Sequence, residues 1–260
     1  MINIEEYSYS KLTRFEECPL SYMRKYLDEE VPESHGITEC GLLMHHILEE
    51  YEKGNMKLEE LVPYYEENFD RQVVSTMHLQ MSETFSKDMY GLYYNDCLNY
   101  LKNFTGIPDC KNIIDVEKEF HLQYNDYSIT GIIDLTFRDN DDKLIVLDHK
   151  SKKKFKSKKD QAHYARQLYL YAWACKSLYG IYPDVLMFNM LRGEPIYIEF
   201  KNMDEVKKEV RNEIERIYQS FAKKEMEKNI YPAFKSFGMG YILFAKKEPE
   251  LFKILFLRKR

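Results

Sequence analysis

Gly131-Ile132-Ile133-Asp134 and Asp148-His149-Lys150, the second closing the run Lys143-Leu144-Ile145-Val146-Leu147, are the stretches on which the reading of this chain turns. The first sets a carboxylate inside an otherwise apolar, β-branched strand. The second sets a carboxylate and an amine at the exit of the next strand. Side chains two apart on a strand face the same side, so Asp148 and Lys150 point together. A hairpin-like neighbour can bring Asp134 beside them. Two carboxylates that converge in a low-dielectric cleft repel unless a divalent cation lies between them. The adjacent lysine can then orient a water or stabilise charge developing on a phosphate. A D-x-K triplet by itself is more often a surface ion pair, so the assignment needs support from the rest of the chain.

Working outward, Asn112–Leu122 and Tyr127–Arg138 read as two strands joined at Asn125-Asp126, a hairpin turn. Lys143–His149 is the third strand. Asp160–Tyr179 is a helix ended by Gly180, Val185–Leu191 a further strand, and Pro195–Phe200 its partner across Arg192-Gly193. Toward the N-terminus two short helices are expected, one capped by Ser10 and one opened by Pro19. Leu42, Leu43, Ile47, Leu48 and Tyr51 give Glu39–Lys53 a helical period, stopped at Gly54-Asn55. Helices over Leu58–Met77 and Thr84–Phe104 follow. Asp204–Lys228 has the pattern of a long charged helix, and residues 230–260 form a tail without a clear pattern. The order is mixed α/β, with a helical insertion at 55–108 in a single domain spanning 1–260.

The 260 residues, 44% hydrophobic and 31% charged, supply enough apolar surface for a substantial core. No apolar run approaches the ~20 residues needed to span a bilayer, and the acidic start lacks the apolar core of a secretory signal. A soluble protein of the cytoplasm is expected. Five widely spaced cysteines without a C-x-x-C fit reduced thiols there. The net charge of −5 hides an asymmetry: Lys143–Lys159 holds eight lysines and a single acid. A basic stretch on an acidic protein points to a polyanionic partner. The 22 tyrosines offer rings that could stack on bases, although core packing is the commoner fate.

Five segments in order now carry a resemblance: Ser8-Tyr9-Ser10-Lys11-Leu12 with Cys18-Pro19 and Tyr22; Gly41-Leu42-Leu43-Met44-His45; Gly131–Asp134; Asp148–Lys150; and Gln167-Leu168-Tyr169-Leu170-Tyr171. Together they resemble the PD-(D/E)XK nuclease superfamily in its RecB-like branch, which includes CRISPR-associated exonucleases. The resemblance implies a restriction-endonuclease-like core, a central mixed sheet in αβββαβ order. It implies a metal-dependent DNA nuclease, an exonuclease on single-stranded or free ends, in a bacterial cell or encoded by a phage. The alternatives are a nuclease-derived DNA-binding or assembly subunit and an RNA-directed nuclease.

By the same resemblance His45, Asp134 and Asp148 are the metal ligands, for Mg²⁺ or Mn²⁺, and Lys150 is the catalytic lysine. His46 competes with His45, but adjacent helix residues point ~100° apart, so both would not bind one ion. Gln167 and Tyr171, four apart on one helix face, are expected to position DNA or the lysine. Lys152, Lys153 and Lys154 are expected along the phosphate backbone, and Glu117 behind the metal site. Partners implied are DNA and a recombination or CRISPR-adaptation protein, with no membrane. One departure stands out. Members that carry an iron–sulfur cluster use one early and three late cysteines, whereas no cysteine follows Cys175. No such cluster is expected, and Cys18 is assigned to the core. No Walker-type phosphate loop is present in the sequence.

Overall fold

Residues 6–26, 34–80, 86–124 and 127–198, with Asp204 and Lys208, are described by a computed structural model. Residues 5–9 and 30–203 make up one compact unit; residues 10–29 belong to another, with 1–4 and 204–260. The expected helix over Asp204–Lys228 and the tail at 230–260 lie outside the described residues, apart from Asp204 and Lys208.

A β-hairpin dominates the larger unit. Strands β4 (Cys110–Tyr124) and β5 (Tyr127–Asp139) pair antiparallel along almost their whole length. They extend the two strands expected from sequence by a residue or two. Gly131 makes room for the Phe120 ring across the pair: a Cβ there would come within 2.7 Å of the ring's tip, so a larger residue would displace it. Strand β6 (Leu144–Lys150) adds antiparallel to β5, β7 (Val185–Met190) adds parallel to β6, and β8 (Ile196–Ile198) returns antiparallel to β7. The parallel step needs a crossover, supplied by helix α6 (Lys158–Tyr179). Ser157 caps its start by accepting from Asp160 N, and Gly180 closes it.

A two-residue strand, β1 (Glu6–Tyr7), not expected from the sequence, lies parallel to β5 at Ser128 and Ile129. β4 occupies one edge of β5 throughout, so β1 and β6 share the other. The β5–β6 ladder is recorded only from Arg138↔Leu144 to Leu135↔Leu147. The edge of β5 is therefore open between Thr130 and Asp134, where the two strands part.

Apolar residues set which face of the sheet meets which helix. Leu135, Phe137, Ile145, Leu147 and Met187 form one cluster on a single face. On the opposite face α6 buries Leu168, Tyr169, Ala172 and Cys175 among its own inward residues. Helix α3 (Gly36–Glu52) buries Cys40, Leu43, Met44, Ile47 and Leu48, the i, i+3, i+4 spacing of one helical stripe. Leu42 is exposed, although the sequence pattern grouped it with these. α3 packs with α4 (Leu61–Gln72) and α5 (Tyr90–Asn103) around Tyr65, Phe69 and Leu98.

Between α4 and α5 the sequence expectation needs correction. The expected helix over Leu58–Met77 is a short 3-10 turn (Leu58–Glu60) followed by α4, and a small hairpin, β2 (His78–Gln80) with β3 (Ser86–Asp88), precedes α5. The chain leaves the helix at the β-branched Val73-Val74. Beyond it the Glu39 carboxylate accepts from both Ser75 N, at 2.8 Å, and Ser75 Oγ, while Thr76 O receives Gly36 N. These tertiary bonds replace the intrahelical ones.

In the other unit α1 (Tyr9–Glu17) and α2 (Pro19–Tyr26) appear as expected, although α1 already begins one residue before Ser10. Arg14 Nη1 donates to Ser21 Oγ at 2.8 Å, and the Phe15 and Tyr22 rings meet edge-on. Cys18 is exposed, which corrects its assignment to the core; all five cysteines are free thiols.

Candidate active site

The parting of β5 and β6 creates an unpaired amide at His149, and Asp134 satisfies it: His149 N donates to Asp134 Oδ2 at 2.8 Å. A carboxylate takes the place of a ladder carbonyl, fixing Asp134 in the gap. Extending the pairing register by one residue sets Asp134 opposite Asp148. Burial first, and the Asp148 charge second, push the Asp134 carboxyl from its ordinary 3.8 up to about 8. Asp148 is 1% exposed and its Oδ2 accepts no hydrogen bond of good geometry, although Lys150 Nζ lies 2.5 Å away.

Lys150 is held from the other side. Its Nζ donates to Gln167 Oε1 at 2.8 Å, and Gln167 Nε2 donates to Tyr171 OH at 2.7 Å. The four-residue spacing on α6 places amide and phenol on one face, as the sequence indicated. Tyr171 is buried, and its hydroxyl is linked to Lys150 through the Gln167 amide.

His45 arrives from α3 at the open edge. Its Nδ1 lies 3.7 Å from Asp134 Oδ2 and its ring meets His149 edge-on at 5.6 Å. Burial, followed by the charges of His149 and Lys150, lowers its pKa to about 3, so the imidazole is neutral with a lone pair to offer. His46 points elsewhere, within 3.2 Å of Tyr64 OH.

A family model of the PD-(D/E)XK nuclease superfamily matches residues 6–236. The chain belongs to that superfamily. In folded shape this PD-(D/E)XK chain is similar to a candidate exonuclease from Eubacterium rectale, with a TM-score of 0.45 and 12% identity over 82% of this chain and 79% of that one. It is also similar to a protein designated SSO0001, with a TM-score of 0.30 and 16% identity over 80% of this chain and 84% of that one. No curated protein matches the sequence.

PD-(D/E)XK nucleases generally use a divalent metal such as Mg²⁺. The residues present fit one: two buried carboxylates, with the Asp148 charge helping to hold the Asp134 carboxyl's pKa up, beside a neutral imidazole. The three expected ligands are neighbours rather than a finished cage. Among the described residues no three His, Cys, Asp or Glu side chains stand together at ligand spacing. Asp148 is turned to the Lys150 ammonium instead.

Glu117 sits in register with Asp134 across the hairpin, between the pairs Val116↔Leu135 and Lys118↔Ile133, in a left-handed conformation at φ 49°. That conformation is costly for a side chain larger than glycine and tends to mark functional positions. Burial, then the Glu49 charge, raise its pKa. Lys152, Lys153 and Lys154 follow β6 directly in the loop to α6. Lys152 lies over the Tyr164 ring at 4.3 Å, and Lys153 is 3.9 Å from Asp96.

Sequence reasoning missed the other side of the strand. His149 Nε2 lies 3.0 Å from Glu52 Oε1, and its Nδ1 lies 2.9 Å from Asn189 Nδ2, which also donates to Tyr100 OH at 2.6 Å. Burial alone would lower the His149 pKa; the Glu52 carboxylate, together with Asp134 and Asp148, outweighs this and leaves it raised. The available signal was spacing. Glu52 is seven residues after His45, two helical turns along the same face, and His149 alternates with Asp148 and Lys150.

Proposed function

We propose that the protein is a divalent-metal-dependent deoxyribonuclease that hydrolyses phosphodiester bonds at single-stranded or free DNA ends. The observation that carries this reading is the meeting of Asp134, Asp148 and Lys150 where β5 and β6 part, with Gln167 holding the lysine. His45, Asp134 and Asp148 are the residues to hold Mg²⁺ or Mn²⁺. When bound, the metal supplies Lewis-acid activation of the phosphate and its attacking water. Lys150 keeps its ammonium directed at the carboxylate pair, where it can orient that water or offset charge growing on the phosphate. Gln167 and Tyr171 limit the rotamers open to Lys150, so less ordering is left for the reaction itself. Lys152–Lys154 draw the phosphate backbone toward the loop after β6, with affinity that falls as salt rises. Glu117 adds negative potential behind the site. The 1–260 chain acts as one nuclease domain, with 55–108 as a helical elaboration.

The experiment is a cleavage time course on end-labelled linear, circular and single-stranded DNA and on RNA. Linear DNA should be degraded with Mn²⁺ or Mg²⁺ and protected by EDTA. Lys150→Ala should lower the rate by roughly a thousandfold, the loss expected when a group that stabilises transition-state charge is removed. Wild-type rates in that variant would overturn the site. Binding without cleavage in the wild-type protein would favour a binding subunit, and a preference for RNA would replace the substrate.

A further inference from the structure

His149 separates the acidic site from a second concavity in the same unit. A cleft of about 510 Å³ lies on its side of the sheet, reached between the end of α5 and the turn after β7. That volume lies in the range of pockets that hold small organic ligands. Its floor is His149, Glu52, Asn189 and Tyr100; its mouth carries Asn99, Asn103, Lys153 and Arg192.

Apart from Glu194, which is exposed, the charged side chains lining the cleft are paired with one another. Glu52 is taken by His149, and Asp96 by Arg192 at 2.7 Å and by Lys153 at 3.9 Å. The interior therefore favours an uncharged ligand with polar edges over a phosphate. Arg192 is held over the Tyr93 ring at 3.6 Å, so its position in the lining is fixed. The cleft is also joined to the basic loop. A Cβ on Gly193 would come within 2.1 Å of Lys153 O, so only glycine lets this turn lie against the lysines that follow β6.

A flat, neutral group with hydrogen-bonding edges, attached to a chain of phosphates passing Lys153, is a nucleobase. We propose that the cleft receives one unstacked base of the substrate strand. This rests on the nuclease reading. Amides such as Asn99 and Asn103 are suited to base edges, and the Tyr100 and Phe104 rings of the lining do not discriminate between bases.

The test is binding of short single-stranded oligonucleotides in EDTA, read by anisotropy, with one abasic residue moved along the strand. An abasic residue at one position should weaken binding about tenfold, the usual worth of one base contact. Asn103→Trp, an exposed side chain enlarged to fill the cleft, should remove that penalty while thermal unfolding stays unchanged. Asn99→Trp, also at the mouth, should do the same and serves if the first variant is unstable. A uniform abasic profile, or a penalty that survives both tryptophans, overturns the cleft and leaves the nuclease reading intact. No binding of the intact oligonucleotide in any salt removes both.

Discussion

Three consecutive residues of β6 face two different environments. On the α6 side, Asp148 and Lys150 meet Asp134 in a setting where two acids are forced together and one oxygen lacks a hydrogen bond. On the other side, His149 is bonded through both ring nitrogens to Glu52 and Asn189. One face is electrostatically frustrated and the other nearly satisfied, though they are one residue apart. Active sites keep groups that a purely structural core would discard, and the neighbouring satisfied network holds them in place.

This contrast can be broken from either side. Glu52→Ala should have the largest effect on folding, because it leaves a buried imidazole without its carboxylate. Leaving a buried hydrogen-bonding group without its partner costs about 1–3 kcal/mol, read as a shift in the denaturant midpoint. Lys150→Ala, expected to slow cleavage, should also destabilise the fold, because it leaves the buried Asp148 carboxylate without its ammonium. Asp134→Asn should do the reverse of Glu52→Ala and stabilise the metal-free protein. The native Asp134 holds its proton up to about 8 and the unfolded chain only to about 3.8. Between those values the folded state binds more protons, so its stability falls as pH rises. The melting temperature gained by Asp134→Asn should be small at pH 4 and grow toward pH 8.5; an equal gain at both would refute the repulsion. The smallest effect belongs to Glu39, remote from both faces. Side-chain bonds from Ser34 and Ser75, with the Ser75 amide, lower its pKa to about 2. Its contribution is present above the ordinary value of 4.5 and is lost as pH falls through about 2. Glu39→Gln should therefore lower the melting temperature slightly at pH 7 and not at all near pH 1.5.

Much of this arrangement was legible. The β4–β5 hairpin, β6, α6 and β7 followed from alternation, a turn signal and the Gly180 boundary, because each is specified by neighbours in the chain; the Ser157 cap that starts α6 two residues earlier than expected did not. The hairpin at 78–88 was not, since its segments lack a local turn signal and α4 stops where Glu39, more than thirty residues earlier, captures Ser75. The two-residue β1 is too short to show a period. Asp134, Asp148, Lys150 and the Gln167–Tyr171 pair stood out as polar residues set in apolar frames. Glu52, Asn189 and Arg192 did not, because each looks like an ordinary helix, strand or turn residue until the chain brings it to His149 or Asp96.

By itself the sequence determined which side chains share a strand or helix face, since that depends only on local backbone period. It also determined that acids and an amine would meet near the exit of β6. Tertiary structure alone decided that β5 and β6 part at Asp134, that Asp148 turns to the lysine, and that a cleft lies behind His149. Those outcomes depend on contacts between residues far apart in the chain, whose energies are comparable with the local preferences they override.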